Sequence, residues 1–213
     1  MTEISTELHG GLAGLDKDGN PLFPKATFLE VGGRKVAEVN TRGAAAGTGV
    51  VATESGGGAV NKTVLTFTNT PVVLADAAGV VAYGGLKVYD FPAGNIHVLG
   101  AVSDVDLTKS SAGVNADFDG DMGVGTVTAS NNATLSSTEQ NVIPTTATPQ
   151  AVSGVTTANG ASTGAATLDG TGTAVDLYFN LLVDDADHDV TTTPCNLILN
   201  GTLTVHWINL GDF

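Results

Sequence analysis

Apolar and polar residues alternate along most of this chain from Asn61 onward, and the clearest alternation lies near its C-terminus. Val175, Leu177, Phe179, Leu181 and Val183 share one phase, with Asp176, Tyr178 and Asn180 on the other. A period of two is the pleat of a half-buried strand. A second ladder runs through Leu197, Leu199, Gly201, Leu203, Val205 and Trp207, with Asn200, Thr202, Thr204 and His206 opposite. Asn200-Gly201 has the composition of a two-residue hairpin turn, yet the apolar phase passes through it unbroken. One long strand with a glycine bulge is therefore expected. Phe179, Leu181, Val205 and Trp207 should be buried together. An acidic loop, Asp184 to Asp189, joins the two ladders.

Earlier segments follow the same period. Lys62 to Thr68 alternates with Leu65 and Phe67 inward, Asn69-Thr70-Pro71 punctuates, Val72 to Leu74 resumes, and Val80 to Tyr83 adds a piece. Leu86 to Phe91 stops at Pro92. Pro92-Ala93-Gly94-Asn95 suits a tight reversal, and Ile96 to Val102 returns, which predicts a β-hairpin. Ser103 to Phe118 is polar and predicts a loop; Gly123 to Ala129 predicts a strand. Ser136 stands three residues before Glu139, the spacing of a capping box, and Pro144 follows soon after. A turn or two of helix is expected at 136–141. Residues 144–172 are rich in Thr, Ala and Gly, with room for one edge strand near 150–156. No helix is long enough to cover a sheet. The pattern predicts an all-β fold, a two-sheet antiparallel sandwich of jelly-roll type, with a distorted barrel as the alternative.

The N-terminal part differs. Residues 1–42 are expected to form an extended arm with short strands and turns, residues 43–60 a Gly/Ala-rich linker, and residues 61–213 the sandwich. Asp18-Gly19 marks a turn, and Phe28 to Val39 reads as one or two short strands broken by Gly32-Gly33. A bulged strand pair inside the main sheet is the alternative for this segment.

Charge sharpens that division. The 213-residue chain has a formal net charge of −14. Residues 1–42 are close to balance, with Lys17, Lys25, Arg34, Lys35 and Arg42 against six acids; the other sixteen acids face only Lys62, Lys87 and Lys109. A body this acidic repels phosphate backbones and anionic membrane surfaces, so neither nucleic acid nor membrane is an expected partner. Met1 to Glu7 is acidic rather than apolar, unlike a signal peptide, and no apolar run reaches the ~18 residues of a membrane helix. Synthesis in a cytoplasm is the expectation.

Candidate chemistry is sparse. Asp117, Asp119 and Asp121 stand at alternate positions, as oxygen ligands of a hard cation do, but Thr128 occupies the place of the closing glutamate. A solvated acidic turn and a cation site both remain open there, and the same pair of alternatives holds for Asp184 to Asp189. His9, His97, His188 and His206 show no metal-ligand spacing. His97 and His206 fall on outer strand faces. Cys195, the single cysteine, precedes an apolar strand and reads as a buried small hydrophobe. No nucleophile elbow, phosphate-cradling loop or sugar-cleaving carboxylate pair stands out, so the chain is not expected to be an enzyme or to carry a cofactor.

Four stretches carry a resemblance: Leu86-Lys87-Val88-Tyr89-Asp90-Phe91-Pro92-Ala93-Gly94-Asn95-Ile96, Asp176 to Asp187, Val205-His206-Trp207-Ile208-Asn209-Leu210-Gly211-Asp212-Phe213, and the segment around Asn61 to Thr66. Here the chain resembles virion structural proteins of tailed bacteriophages, over roughly residues 60–213. The resemblance implies a particle component, capsid decoration (cement) first among the roles, on the outer capsid surface with the major capsid protein as partner. A homotrimer at local threefold positions is the natural assembly. Lys25, Arg34, Lys35 and Arg42 are the candidate capsid contacts. A head-fibre or tail appendage that binds a host receptor or glycan is the alternative role.

Overall fold

The structure, a computed structural model, describes residues 28–31, 34–37, 49–56, 60–76, 81–130, 132–188 and 195–211. The chain divides into two compact units, Met1–Glu38 and Val39–Phe213. In the first, β1 (Phe28–Val31) and β2 (Arg34–Ala37) pair antiparallel on either side of Gly32-Gly33.

The second unit is all-β. Its strands are β3 (Val50–Ser55), β4 (Asn61–Asp76), β5 (Val81–Asp90), β6 (Gly94–Lys109), β7 (Gly120–Gly125), β8 (Ile143–Thr148), β9 (Val155–Thr157), β10 (Gly160–Ala161), β11 (Ala166–Gly170), β12 (Asp176–Asp184) and β13 (Cys195–Asn209). Two 3₁₀ turns, Ser137–Glu139 and Asp185–Asp187, are the helical pieces among the described residues. None of the described helices is long and apolar enough to cross a membrane.

The strands join in the order β10-β6-β13-β4-β5-β12-β7-β8, with β9 and β11 also on β6 and β3 on β4. Strand β4 is the joint. Its residues 61–74 pair with β13, while Ala75 and Asp76 pair with β5. At the two ends of this order, Gly160 on β10 lies against Ile143 of β8 and Met122 of β7. A Cβ on Gly160 would stand 3.0 Å from each. The antiparallel sheet is thus nearly closed into a barrel, which hides most strand edges.

The core follows the alternation. Phe179, Leu181, Val205 and Trp207 are buried in one cluster with Leu65, Phe67, Ile96 and Leu203. Strand β13 is a single strand whose register shifts between Leu199 and Gly201. Gly201 has φ +131°, and a Cβ there would meet the Asp104 carbonyl oxygen at 2.2 Å. Asn200 accepts the Asn69 amide at 2.8 Å across this bulge, and Asn69 takes φ 50°. That exchange carries β4 through Asn69-Thr70-Pro71 without a break.

Several segments differ from expectation: the strand expected at Gly123 to Ala129 is β7, Gly120–Gly125, and the stretch expected to hold one edge strand near 150–156 carries β8 to β11. Strands β5 and β6, predicted as a hairpin, do not pair: β5 bonds β12 and β4, and β6 bonds β13. A Pro–Gly reversal sets a change of direction but not which strand takes the hydrogen bonds. The Phe91 amide donates to Val175 at 2.9 Å and the Asn95 amide to Gly211 at 3.0 Å, so C-terminal segments claim both flanks. Part of the predicted loop at 103–118 is strand, because β6 runs to Lys109 with Val105 and Leu107 inward and Asp104 and Asp106 outward. Within the 43–60 stretch expected as a linker, Val50–Ser55 is β3, with Val50 and Ala52 in the core.

Candidate functional site

The two acidic segments come together. The Asp119 amide donates to the Asp187 carboxylate at 3.1 Å, and the Asp184 amide donates to the Asp119 carbonyl at 3.2 Å. Asn115 ties the turn further, its amide to the Asp187 carbonyl at 2.8 Å and its side chain to the Ala186 carbonyl at 3.0 Å. Burial pushes the Asp119 carboxyl above its ordinary range, and the charge of Asp184 and the contact with Asp187 push it further. Asp121 is raised by burial and by Asp184. Among the described residues, no group of three His, Cys, Asp or Glu side chains converges as a metal cage. The junction is a place where like charges are held close by backbone hydrogen bonds.

Three of the stretches that carry the sequence resemblance meet around Trp207, and the fourth reaches them through Asp176. Its indole N–H donates to Thr63 at 2.9 Å, and its ring meets Phe91 edge-on at 5.4 Å. Phe91 meets Tyr89 edge-on at 5.0 Å, and the Tyr89 hydroxyl donates to the Glu54 carboxylate, a buried acid that the sequence reading passed over. On the same strands Lys87 bridges Asp90 at 2.5 Å and Asp176 at 2.9 Å. Hydrogen bonds to Asp90 and then to Asp176 raise the Lys87 ammonium pKa. For Asp176, burial works upward, but hydrogen bonds with Asp90 and Lys87 outweigh it and hold the carboxyl below its ordinary value. Leu210 donates to the Asn95 carbonyl at 2.8 Å and Asn209 to the Ala93 carbonyl at 3.0 Å, which closes the link between β5 and β6.

A third arrangement pins the 126–140 segment onto the outer face of β12. Asn180 is fully buried. Its amide oxygen accepts from Ala129 at 2.8 Å, and its amide nitrogen donates to the carbonyls of Val127 at 2.9 Å and Glu139 at 2.7 Å. Glu139 accepts from the Ser130 amide at 2.8 Å and hydroxyl at 2.6 Å, and from the Ser136 amide at 2.9 Å. The Ser136–Glu139 spacing thus makes the expected turn, with Glu139 also clamping Ser130. Val81, Ala129, Leu135 and Leu182 pack beneath as a satellite cluster. Alternation puts Asn180 on the polar face of its strand, and only the loop above buries it.

Of the candidate contact residues, Lys25 and Arg42 lie outside the described residues. Arg34 and Lys35 stand on β2, opposite Val31 and Glu30 of β1. His206 is exposed, and His97 bonds Thr167 at 3.0 Å. His188 bridges to Val114, with both ring nitrogens buried and without a hydrogen-bond partner. Cys195 is buried, its thiol donating to the Gly113 carbonyl at 2.7 Å. No protein-family model, curated protein or solved structure matches this chain.

Proposed function

We propose that this chain is a structural component of a tailed-bacteriophage virion, a capsid decoration (cement) protein on the outside of the shell. On this proposal the nearly closed sheet is a jelly-roll-like sandwich carrying an N-terminal arm. The arm docks on the major capsid protein, and contacts between copies add to the hold. One observation supports it most. Three of the four stretches that resemble virion proteins meet at Trp207, Phe91 and Thr63, and the fourth joins them at its first residue through the Lys87–Asp176 bridge. The charge division points the same way, with Lys25, Arg34, Lys35 and Arg42 set before an acidic body.

Cryo-electron microscopy of particles assembled with the full chain tests the location. Density for the protein on the outer shell is expected; density confined to the tail would replace decoration with an appendage role. Cosedimentation with capsids tests the arm. A full-length variant carrying Lys25→Glu, Arg34→Glu, Lys35→Glu and Arg42→Glu should lose capsid binding, and undiminished binding would remove the arm from the contact.

A further inference from the structure

We infer that the outer face of β3–β4–β13–β6 is a self-association surface that takes a second copy of this chain across a twofold axis. The two halves of the sheet differ in how their outer faces are treated. Over β12, the 126–140 segment forms a roof, pinned by Asn180 and Glu139. The outer face of the other half shows no such cover among the described residues. Its middle is a row of Thr53, Val64, Thr204 and Val102 on four adjacent strands, set by the registers Thr53↔Val64, Thr204↔Val64 and Thr204↔Val102. The next row is Val51, Thr66, Thr202 and Asp104. Val51 and Val102 are 52% and 55% exposed. Short β-branched side chains on a sheet make a flat surface with little side-chain entropy to lose on contact.

Charge selects the occupant. A chain of net charge −14 repels its own copies over most of its surface. Many of the acids lie elsewhere, at the Asp119–Asp187 junction and at Asp90 and Asp176, while this face carries Asp104 and Asp106 on β6. On this face exposed Lys62, opposite His206, stands on β4 in the row before Val64, and exposed Asp104 lies diagonally from it on β6. A twofold axis lying in the plane of the contact, across that diagonal, sets Lys62 of each copy over Asp104 of the other. The surface is then self-complementary, as a twofold contact requires, and each attractive pair occurs twice.

Sedimentation velocity of the purified full chain, up to about 100 µM, measures this without any particle, so its outcome is separate from the virion proposal. A monomer–dimer equilibrium is expected. Lys62→Asp alone and Asp104→Lys alone should each weaken the dimer by about tenfold, because the symmetry enters each change twice. The double variant Lys62→Asp/Asp104→Lys should restore it, and Val102→Asp should abolish it while leaving the circular dichroism spectrum unchanged. A monomer at the highest concentration, a trimer, or a dimer indifferent to Val102→Asp and to the charge exchanges overturns the inference.

Discussion

The backbone amide of Asp119 donates to the carboxylate of Asp187 at 3.1 Å, across 68 positions of sequence. This bond holds one acidic segment against another that repels it. Burial and the charges of Asp184 and Asp187 raise the Asp119 carboxyl above 3.8, so the folded state disfavours the ionised form. A group raised in this way contributes stability that is complete below its unfolded value and lost as pH rises through the folded value. Asp119→Asn should therefore raise the melting temperature at neutral pH, with the gain vanishing near about pH 3. Calorimetry at both pH values checks it; an unchanged melting temperature at neutral pH would mean that solvent already screens the junction.

Glu139 has the opposite sign. Burial pushes its carboxyl up, but hydrogen bonds from Ser130 and Ser136 outweigh burial and hold it below 4.5. Its contribution is present above the unfolded value and lost as pH falls through the folded one. Glu139→Gln turns an amide donor toward the Ser130 or Ser136 amide and should cost about 1–3 kcal/mol at neutral pH. Chemical denaturation at neutral pH and near about pH 3 should show the difference between the two proteins shrinking in acid.

Asn180 bonds three backbone groups of the roof, at Val127, Ala129 and Glu139. Asn180→Leu leaves those groups buried without partners and should cost roughly 2–5 kcal/mol. Hydrogen exchange should localise the loss to residues 126–140. Protection there equal to that of the parent chain would contradict the pinning role.

Trp207 and Thr63 allow a cleaner measurement. Thr63→Val keeps the side-chain volume but removes the acceptor of the buried indole N–H, and should cost about 1–3 kcal/mol. Urea unfolding followed by emission of this single tryptophan reads the change directly.

Gly125 tests the close approach of the 3₁₀ turn. A Cβ there would lie 2.2 Å from the Thr138 carbonyl oxygen and 2.3 Å from the Glu139 carbonyl carbon, both backbone atoms. Gly125→Ala should cost about 1–3 kcal/mol or more, since the turn must move as a unit. Thermal unfolding checks it.

Period-two alternation by itself determined which residues face inward in β12 and β13 and that β13 passes through Asn200-Gly201 as one strand. These are local properties, because the pleat assigns each side chain to a face whatever strand lies beside it. Only the tertiary structure decided the pairing. Strands β5 and β6 are consecutive and sharply linked, yet they bond to other strands, and β12 and β13, which frame the acidic loop, each lie between other partners. Every strand edge carries the same donors and acceptors, so pairing is settled by which side chains pack across the barrel. The same reason hid Asn180 and the Asp119–Asp187 contact: one polar residue is buried by a loop some fifty positions earlier, and two acidic loops meet through backbone geometry that charge alone opposes.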